Sequence, residues 1–291
     1  MKLLSFQGDS GAGVGVLDET STMLTVLPVS GPRAAGMLDV IAQGREAYQP
    51  GALREASRRP LSEVRLLAPI PQPSRNIICV GKNYREHARE FASSGFDGSA
   101  SETIPEVPVV FTKHAGSVIG PHDPIPASRD PDQSVDYEGE LAVVIGQGGR
   151  DIAPERAMSH VFGYTIINDV TARHAQRRHK QWFLGKSLDG FCPMGPVIVT
   201  RDELPDIAHA ELRTFVNGEL RQRARIADLI FDIPALIATI SRFISLVPGD
   251  IIATGTPSGV GIGFDPPKFL RAGDEVTIQI DGVGELRNPV V

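Results

Sequence analysis

Residues 136–146 read DYEGELAVVIG, and residues 163–173 read GYTIINDVTAR. Each is an apolar, β-branched run of the length and composition of a buried strand. Each also carries acid at one end: Glu138 and Glu140 in the first, Asp169 in the second. Residues two apart in a strand share a face, so Glu138 and Glu140 project together across Gly139. Buried carboxylates need a counter-charge, and no basic residue lies within three positions of any of the three. A divalent cation meets that need. Three carboxylates fill about half of an octahedral shell and leave positions for a ligand. The competing reading is a solvated acidic edge followed by an unrelated turn residue. Asp169, closing an apolar strand and opening a turn where a side chain can face a cleft, weighs against it.

Outward from these two runs, NIICVG (76–81), PVVFT (108–112), GPVIV (195–199), LRTFVNG (212–218), DIIAT (250–254) and EVTIQI (275–280) read as further strands. Asn217-Gly218 suits a type I′ hairpin turn. FDIPALIATISRFISL (231–246) is the main amphipathic helix. Few helices among many uneven strands predict a β-rich α+β fold, not a βαβ sheet. Residues 1–70 read as a small N-terminal α+β domain. It has strands in KLLSF, GVGVLD and MLTVL, and a helix over Ala34–Gln43 stopped by Gly44. The proline-rich LLAPIPQPSR (66–75) reads as a stiff connector into a second domain, 71–291.

The chain has 291 residues, enough for one large domain or a large and a small one. Its net charge of −6 and pI near 5.7 lack the broad basic surface of a nucleic-acid binder. Cys79 and Cys192 lie in apolar surroundings and read as small buried hydrophobes. MKLLSFQGDSG has no apolar core of signal-peptide length, and no run approaches a membrane span. A cytoplasmic protein with no membrane partner is expected.

Four more segments carry chemistry. NYREHAREF (83–91) is a short helix with Asn83 as its N-cap. It sets His87 and Glu90 three apart on one face, where a carboxylate can orient an imidazole as general base. The polar stretch that follows makes a lid of about 84–107. Lys186, in LGKSLDGFCPMGP, can bind a carboxylate or enolate oxygen beside the metal. In ATGTPSGVGIG (253–263), Gly255 and Thr256 offer backbone and hydroxyl to an anion, although this segment taken alone slightly favours a plain glycine-rich hairpin turn. Arg173 and Gln176 follow Asp169 closely, and Arg177–Lys180 form a solvated basic run.

Taken together, these segments resemble the fumarylacetoacetate hydrolase family over roughly residues 74–291. The order of the YEGELAVVIG strand, GYTIINDVTAR, GKSLDGFCPMGP and PGDIIATGTPSGVG carries the resemblance. It implies a mixed β-sandwich roll, in most members a homodimer. It implies Mg²⁺ or Mn²⁺, one per subunit, on Glu138, Glu140 and Asp169, with Lys186 in the same pocket. Substrate would meet Arg173, Gln176, Gly255 and Thr256. His87 and Glu90 match the pair that the acylpyruvate-cleaving branch carries before its lid. His174 departs from the family, whose members often have an acidic residue there. The expected activity is hydrolytic C–C cleavage of a 2,4-dioxo acid, giving pyruvate and a second acid. The alternatives are oxaloacetate decarboxylation or tautomerisation, isomerisation of a dienoic diacid, and a metal-binding protein without turnover.

Overall fold

The strand Gly139–Ile145 is buried at all seven residues, because it runs through the middle of a twelve-stranded sheet. It pairs antiparallel on one side with Val161–Asn168 and on the other with Ile251–Ala253. Beyond Ile251–Ala253 come the parallel strand Ile77–Gly81 and, at the edge, Val109–Lys113. The fold is the expected β-rich α+β class. The computed structural model describes residues 1–27, 36–48, 50–53, 56–96 and 104–291, excluding the side chains of 50 and 52.

The other side of Val161–Asn168 leads to Cys192–Thr200 and then to Lys2–Gly8. The expected N-terminal unit therefore extends the same sheet, joined by the register pairs Lys2↔Val199 and Leu3↔Ile198. Gly11–Leu17, Met23–Val26 and Arg58–Pro60 continue it. The helix there covers Met37–Gln43 and stops at Gly44, which has φ +65°. Its expected first residues, 34 and 35, lie outside the described residues. The connector is docked, not free. Ser5 Oγ donates to Pro69 O, and Ala68 and Ile70 are buried.

A four-stranded antiparallel sheet packs over the start of the acidic strand. Its order is Glu219–Arg225, Glu211–Val216, Glu275–Ile280 and Gly284–Pro289. The last strand gives little sequence signal, since GELRNP holds a single large apolar residue, Leu286. Asn217 and Gly218 both have positive φ, +52° and +79°, as a type I′ hairpin requires. The contact between the sheets is close at Gly139, where a Cβ would lie 2.3 Å from Thr214 Oγ1. The amphipathic helix forms over Ile233–Phe243. Asp232 caps it by accepting from Ala235 N, and Ile233, Leu236, Ile237 and Ile240 face the core.

One cap differs from expectation. The helix Arg85–Ser93 starts after Tyr84 and has no side-chain cap. Asn83 is instead drawn into the core. Its Oδ1 accepts from Phe231 N, and its Nδ2 donates to Thr254 O and Phe231 O. It buckles the start of this helix to the segment after Ala253, and a side chain so engaged cannot also turn to its own helix.

Candidate active site

Antiparallel pairing sets the beginning of one strand beside the end of its partner. Gly139 pairs with Asn168, so Glu138 and Glu140 arrive next to Asp169. Asp169 N donates to Glu138 O, and Glu138 N donates to Asn168 Oδ1, fixing both backbones. One carboxylate oxygen from each of Glu138, Glu140 and Asp169 lies within 4.8 Å of the others, and all three residues are buried.

The absence of local basic residues proves an incomplete guide. Cations distant in sequence reach the cluster. Lys186 Nζ donates to Glu138 Oε2 at 2.8 Å and to Asp169 Oδ2 at 2.7 Å. Lys113 Nζ, from the edge strand, donates to Asp169 Oδ1 at 2.7 Å. Arg173 Nη1 lies 2.7 Å from Glu138 Oε1. Burial alone would raise the Glu138 pKa, but Lys186 and Arg173 outweigh it and hold the carboxyl at about 2. Burial likewise opposes charge on Lys186, yet Asp169 and Glu138 keep the ammonium above its ordinary value.

Glu140 stands apart. Among the described residues it forms no ion pair, and its Oε2 accepts only from Gly255 N at 2.8 Å. Burial, with Asp169 and Glu138 beside it, pushes its carboxyl well above the ordinary range. The cluster therefore sets four buried carboxylates (Asp136, Glu138, Glu140 and Asp169) against three buried cations (Lys113, Arg173 and Lys186). With all four carboxylates ionised, one negative charge would be left over, which is why the Glu140 carboxyl resists ionisation. A divalent cation fits this donor set. Magnesium takes oxygen ligands at about 2.0–2.1 Å in an octahedron, and each carboxylate oxygen keeps a lone pair after accepting from a lysine.

The helix Arg85–Ser93 brings its pair to the same place. Glu90 Oε2 lies 3.1 Å from His87 Nδ1, and Glu90 Oε1 accepts from Gly259 N at 2.9 Å. His87 is buried and shares a narrow cleft with Glu138, Arg173, Gln176 and Lys186, walled by Phe91, Phe111 and Trp182. A Cβ on Gly81 would lie 2.4 Å from Trp182 Cζ3, so only glycine lets the indole close that wall. Residues 97–103 of the expected lid lie outside the described residues.

The glycine-rich segment serves the carboxylates directly. Gly255 N donates to Glu140, Gly259 N to Glu90, and Gly261 N and Ile262 N to Asp136. The Thr256 hydroxyl donates to Gly139 O and accepts from Gln222 Nε2, so it is engaged inside the protein. Arg173 is a buttress. Its Nε donates to Asp136 Oδ2 at 2.9 Å while its Nη1 faces Glu138 and Gln176. Lys113 and Asp136 escape the sequence reading. Lys113 sits in an ordinary edge strand, and Asp136 reads as the first residue of an acidic strand end. His174 stacks on Phe96, with centroids 5.5 Å apart, and packs its edge on Phe269. Arg178 pairs with Asp132 on the surface, as the solvated-run reading expects.

A family model described as "Fumarylacetoacetate (FAA) hydrolase C-terminal" matches residues 76–291. The chain is 55% identical over 230 residues to "Oxaloacetate tautomerase YisK" of Bacillus subtilis (strain 168), covering 79% of this chain and 74% of that one. A solved fumarylacetoacetate hydrolase from Exiguobacterium antarcticum superposes with TM-score 0.85 at 45% identity, over 100% of this chain and 99% of its own. Maleylpyruvate hydrolase from Sphingobium sp. SYK-6, solved with manganese(II) and pyruvate, gives TM-score 0.79 at 34% identity, with coverage of 100% and 99%. Among the described residues no helix is long and apolar enough to cross a membrane.

Proposed function

The chain belongs to the fumarylacetoacetate hydrolase family, and from that premise we propose a divalent-metal-dependent enzyme that interconverts the keto and enol forms of a 2-oxo acid of the oxaloacetate type. The observation that carries this reading is that the buried cluster of Glu138, Glu140 and Asp169 shares a cleft, through Glu138, with His87 of the His87–Glu90 pair. Mg²⁺ or Mn²⁺ on the three carboxylates would supply charge that holds a 2-oxo acid and favours its enolate.

The chain's own groups do the rest. His87, with Nδ1 turned to Glu90, has Nε2 left to take a proton from the carbon beside the oxo group. Glu90 stabilises the imidazolium so formed, and the enol is completed when a proton is delivered to the oxo oxygen from the imidazolium or from water; the same transfers in reverse regenerate the keto form. Lys186 remains an ammonium and offers hydrogen bonds where enolate charge develops. Arg173 and Gln176 line the cleft and orient the substrate. Phe91, Phe111 and Trp182 exclude water, which strengthens these interactions. The 55% identity to an oxaloacetate tautomerase supports this order of readings.

Hydrolysis of a 2,4-dioxo acid is the second reading. The same His87 would deprotonate a water for attack on the 4-carbonyl, followed by breakage of the C3–C4 bond. The likeness to maleylpyruvate hydrolase favours it. The experiment is to follow enol absorbance and C3 deuterium exchange of oxaloacetate, and pyruvate release from acylpyruvates, each with Mn²⁺ or with chelator. Tautomerisation is expected with metal and not with chelator. Full activity of a Glu138→Ala variant without metal would sink both readings.

A further inference from the structure

The acidic strand loses one neighbour just where its carboxylates stand. Its ladder with Ile251–Ala253 ends at the pair Ala142↔Ala253, short of Gly139. The N–H and C=O of Gly139 are met by side chains instead. Gly139 N donates to Gln222 Oε1 at 3.0 Å, Gln222 Nε2 donates to Thr256 Oγ1 at 2.7 Å, and the Thr256 hydroxyl donates to Gly139 O at 3.0 Å. These bonds close a ring on the residue that stands between Glu138 and Glu140. Gln222 Nε2 also donates to Pro257 O at 2.8 Å, so both polar atoms of the amide are engaged. Gln222 comes from the other sheet. Its strand, Glu219–Arg225, leaves its one large apolar side chain, Leu220, exposed and buries the glutamine alone. An amide is costly to bury unless its hydrogen bonds are made, so these bonds and not apolar packing account for a glutamine there.

We propose that Gln222 is a positioning residue for the metal site, acting through Thr256 and the backbone of Gly139. This rests on the reading of Glu138, Glu140 and Asp169 as ligands of a divalent cation. The peptide unit that ends at Gly139 N joins it to Glu138, and the unit that begins at Gly139 C=O joins it to Glu140. Holding both peptide planes fixes the direction in which the two carboxylates leave the strand. Asn168 and Asp169 hold the backbone of Glu138 from the neighbouring strand, and the ring holds Gly139. Glycine is the residue with the widest backbone freedom, so it is the position where such a brace matters most. Groups that orient metal ligands from behind typically cost about 10–100-fold in metal affinity when removed.

The test titrates Mn²⁺ calorimetrically into wild type, Gln222→Met, Thr256→Val, Thr256→Ser and the double variant Gln222→Met/Thr256→Val, and records the electron paramagnetic resonance of the bound ion. Gln222→Met and Thr256→Val are each expected to bind Mn²⁺ about 10–100-fold more weakly and to alter its spectrum. The double variant should lose no more than the weaker single variant, because a ring is opened only once. Thr256→Ser, which keeps the hydroxyl, should recover most of the loss. Should Gln222→Met not fold, Thr256→Val against Thr256→Ser decides the outcome. Wild-type affinity in the folded variants would overturn the proposal and leave Gln222 as a tie between the two sheets. Losses that add in the double variant would overturn it as well. If wild type itself binds no Mn²⁺, the metal reading fails instead.

Discussion

A Cβ on Gly263 would lie 1.9 Å from Oε1 of Glu90. The bare backbone there is what lets the carboxylate dock, with Gly259 N donating to the same oxygen. Glu90 is thus seated by a loop some 170 residues away, and it passes that position on to His87. We predict that Gly263→Ala keeps the fold and the metal site but displaces Glu90, with a loss of about 10²-fold in turnover. Circular dichroism, metal titration and oxaloacetate tautomerisation would separate these effects. Wild-type turnover in the variant would show that the docking is irrelevant.

His87 is predicted to act in proton transfer and not in metal binding. Its Nδ1 is engaged by Glu90 Oε2 at 3.1 Å. His87→Ala should lower turnover by about 10²–10⁴-fold while keeping the rise in melting temperature expected on adding Mn²⁺ to wild type. Loss of the metal-induced rise would instead make His87 a ligand.

Glu140 carries the cluster's surplus charge. Its folded pKa stands above the ordinary 4.5, because burial and its two acidic neighbours oppose ionisation. The folded state therefore holds this proton more tightly than the unfolded state does. Its contribution to stability is fully present below pH 4.5 and is lost as pH rises through the folded pKa. In chelator at neutral pH, Glu140→Gln is predicted to melt higher than wild type, by about 2–4 °C for each kcal/mol recovered. Mn²⁺ is expected to stabilise wild type, and the same variant should lose that effect. A lower melting point in chelator would contradict this account of the charge.

Asp136 joins Arg173 to the backbone amides of Gly261 and Ile262. Asp136→Asn leaves the buried guanidinium with Glu138 as its remaining carboxylate partner. Breaking a buried pair costs about 3–5 kcal/mol, and the surviving contact points to the lower end. Urea unfolding would measure it. A change under about 0.5 kcal/mol, the range of ordinary surface substitutions, would mean that Asp136 holds nothing in place.

Much of this site was legible before any fold was known. The period-two placement of Glu138 and Glu140, the apolar run ending at Asp169 and the i, i+3 spacing of His87 and Glu90 are local signals. Local geometry alone carries them, because side-chain direction in a strand or helix follows from position. The strands of the central sheet were legible for the same reason. Lys113, Asp136 and the fate of Asn83 were not. Each takes its meaning from a partner more than thirty residues away: Asp169 for Lys113, Arg173 for Asp136, Phe231 for Asn83. The counter-charges of the acidic cluster were hidden in the same way. Glu138 and Asp169 are met by cations that only the folded chain brings near, leaving Glu140 as the carboxylate that calls for a metal. Sequence by itself determined which groups could do chemistry and on which element each would stand. Strand pairing, close approach at glycine and burial decided which of them meet, because those depend on distances that no local pattern encodes.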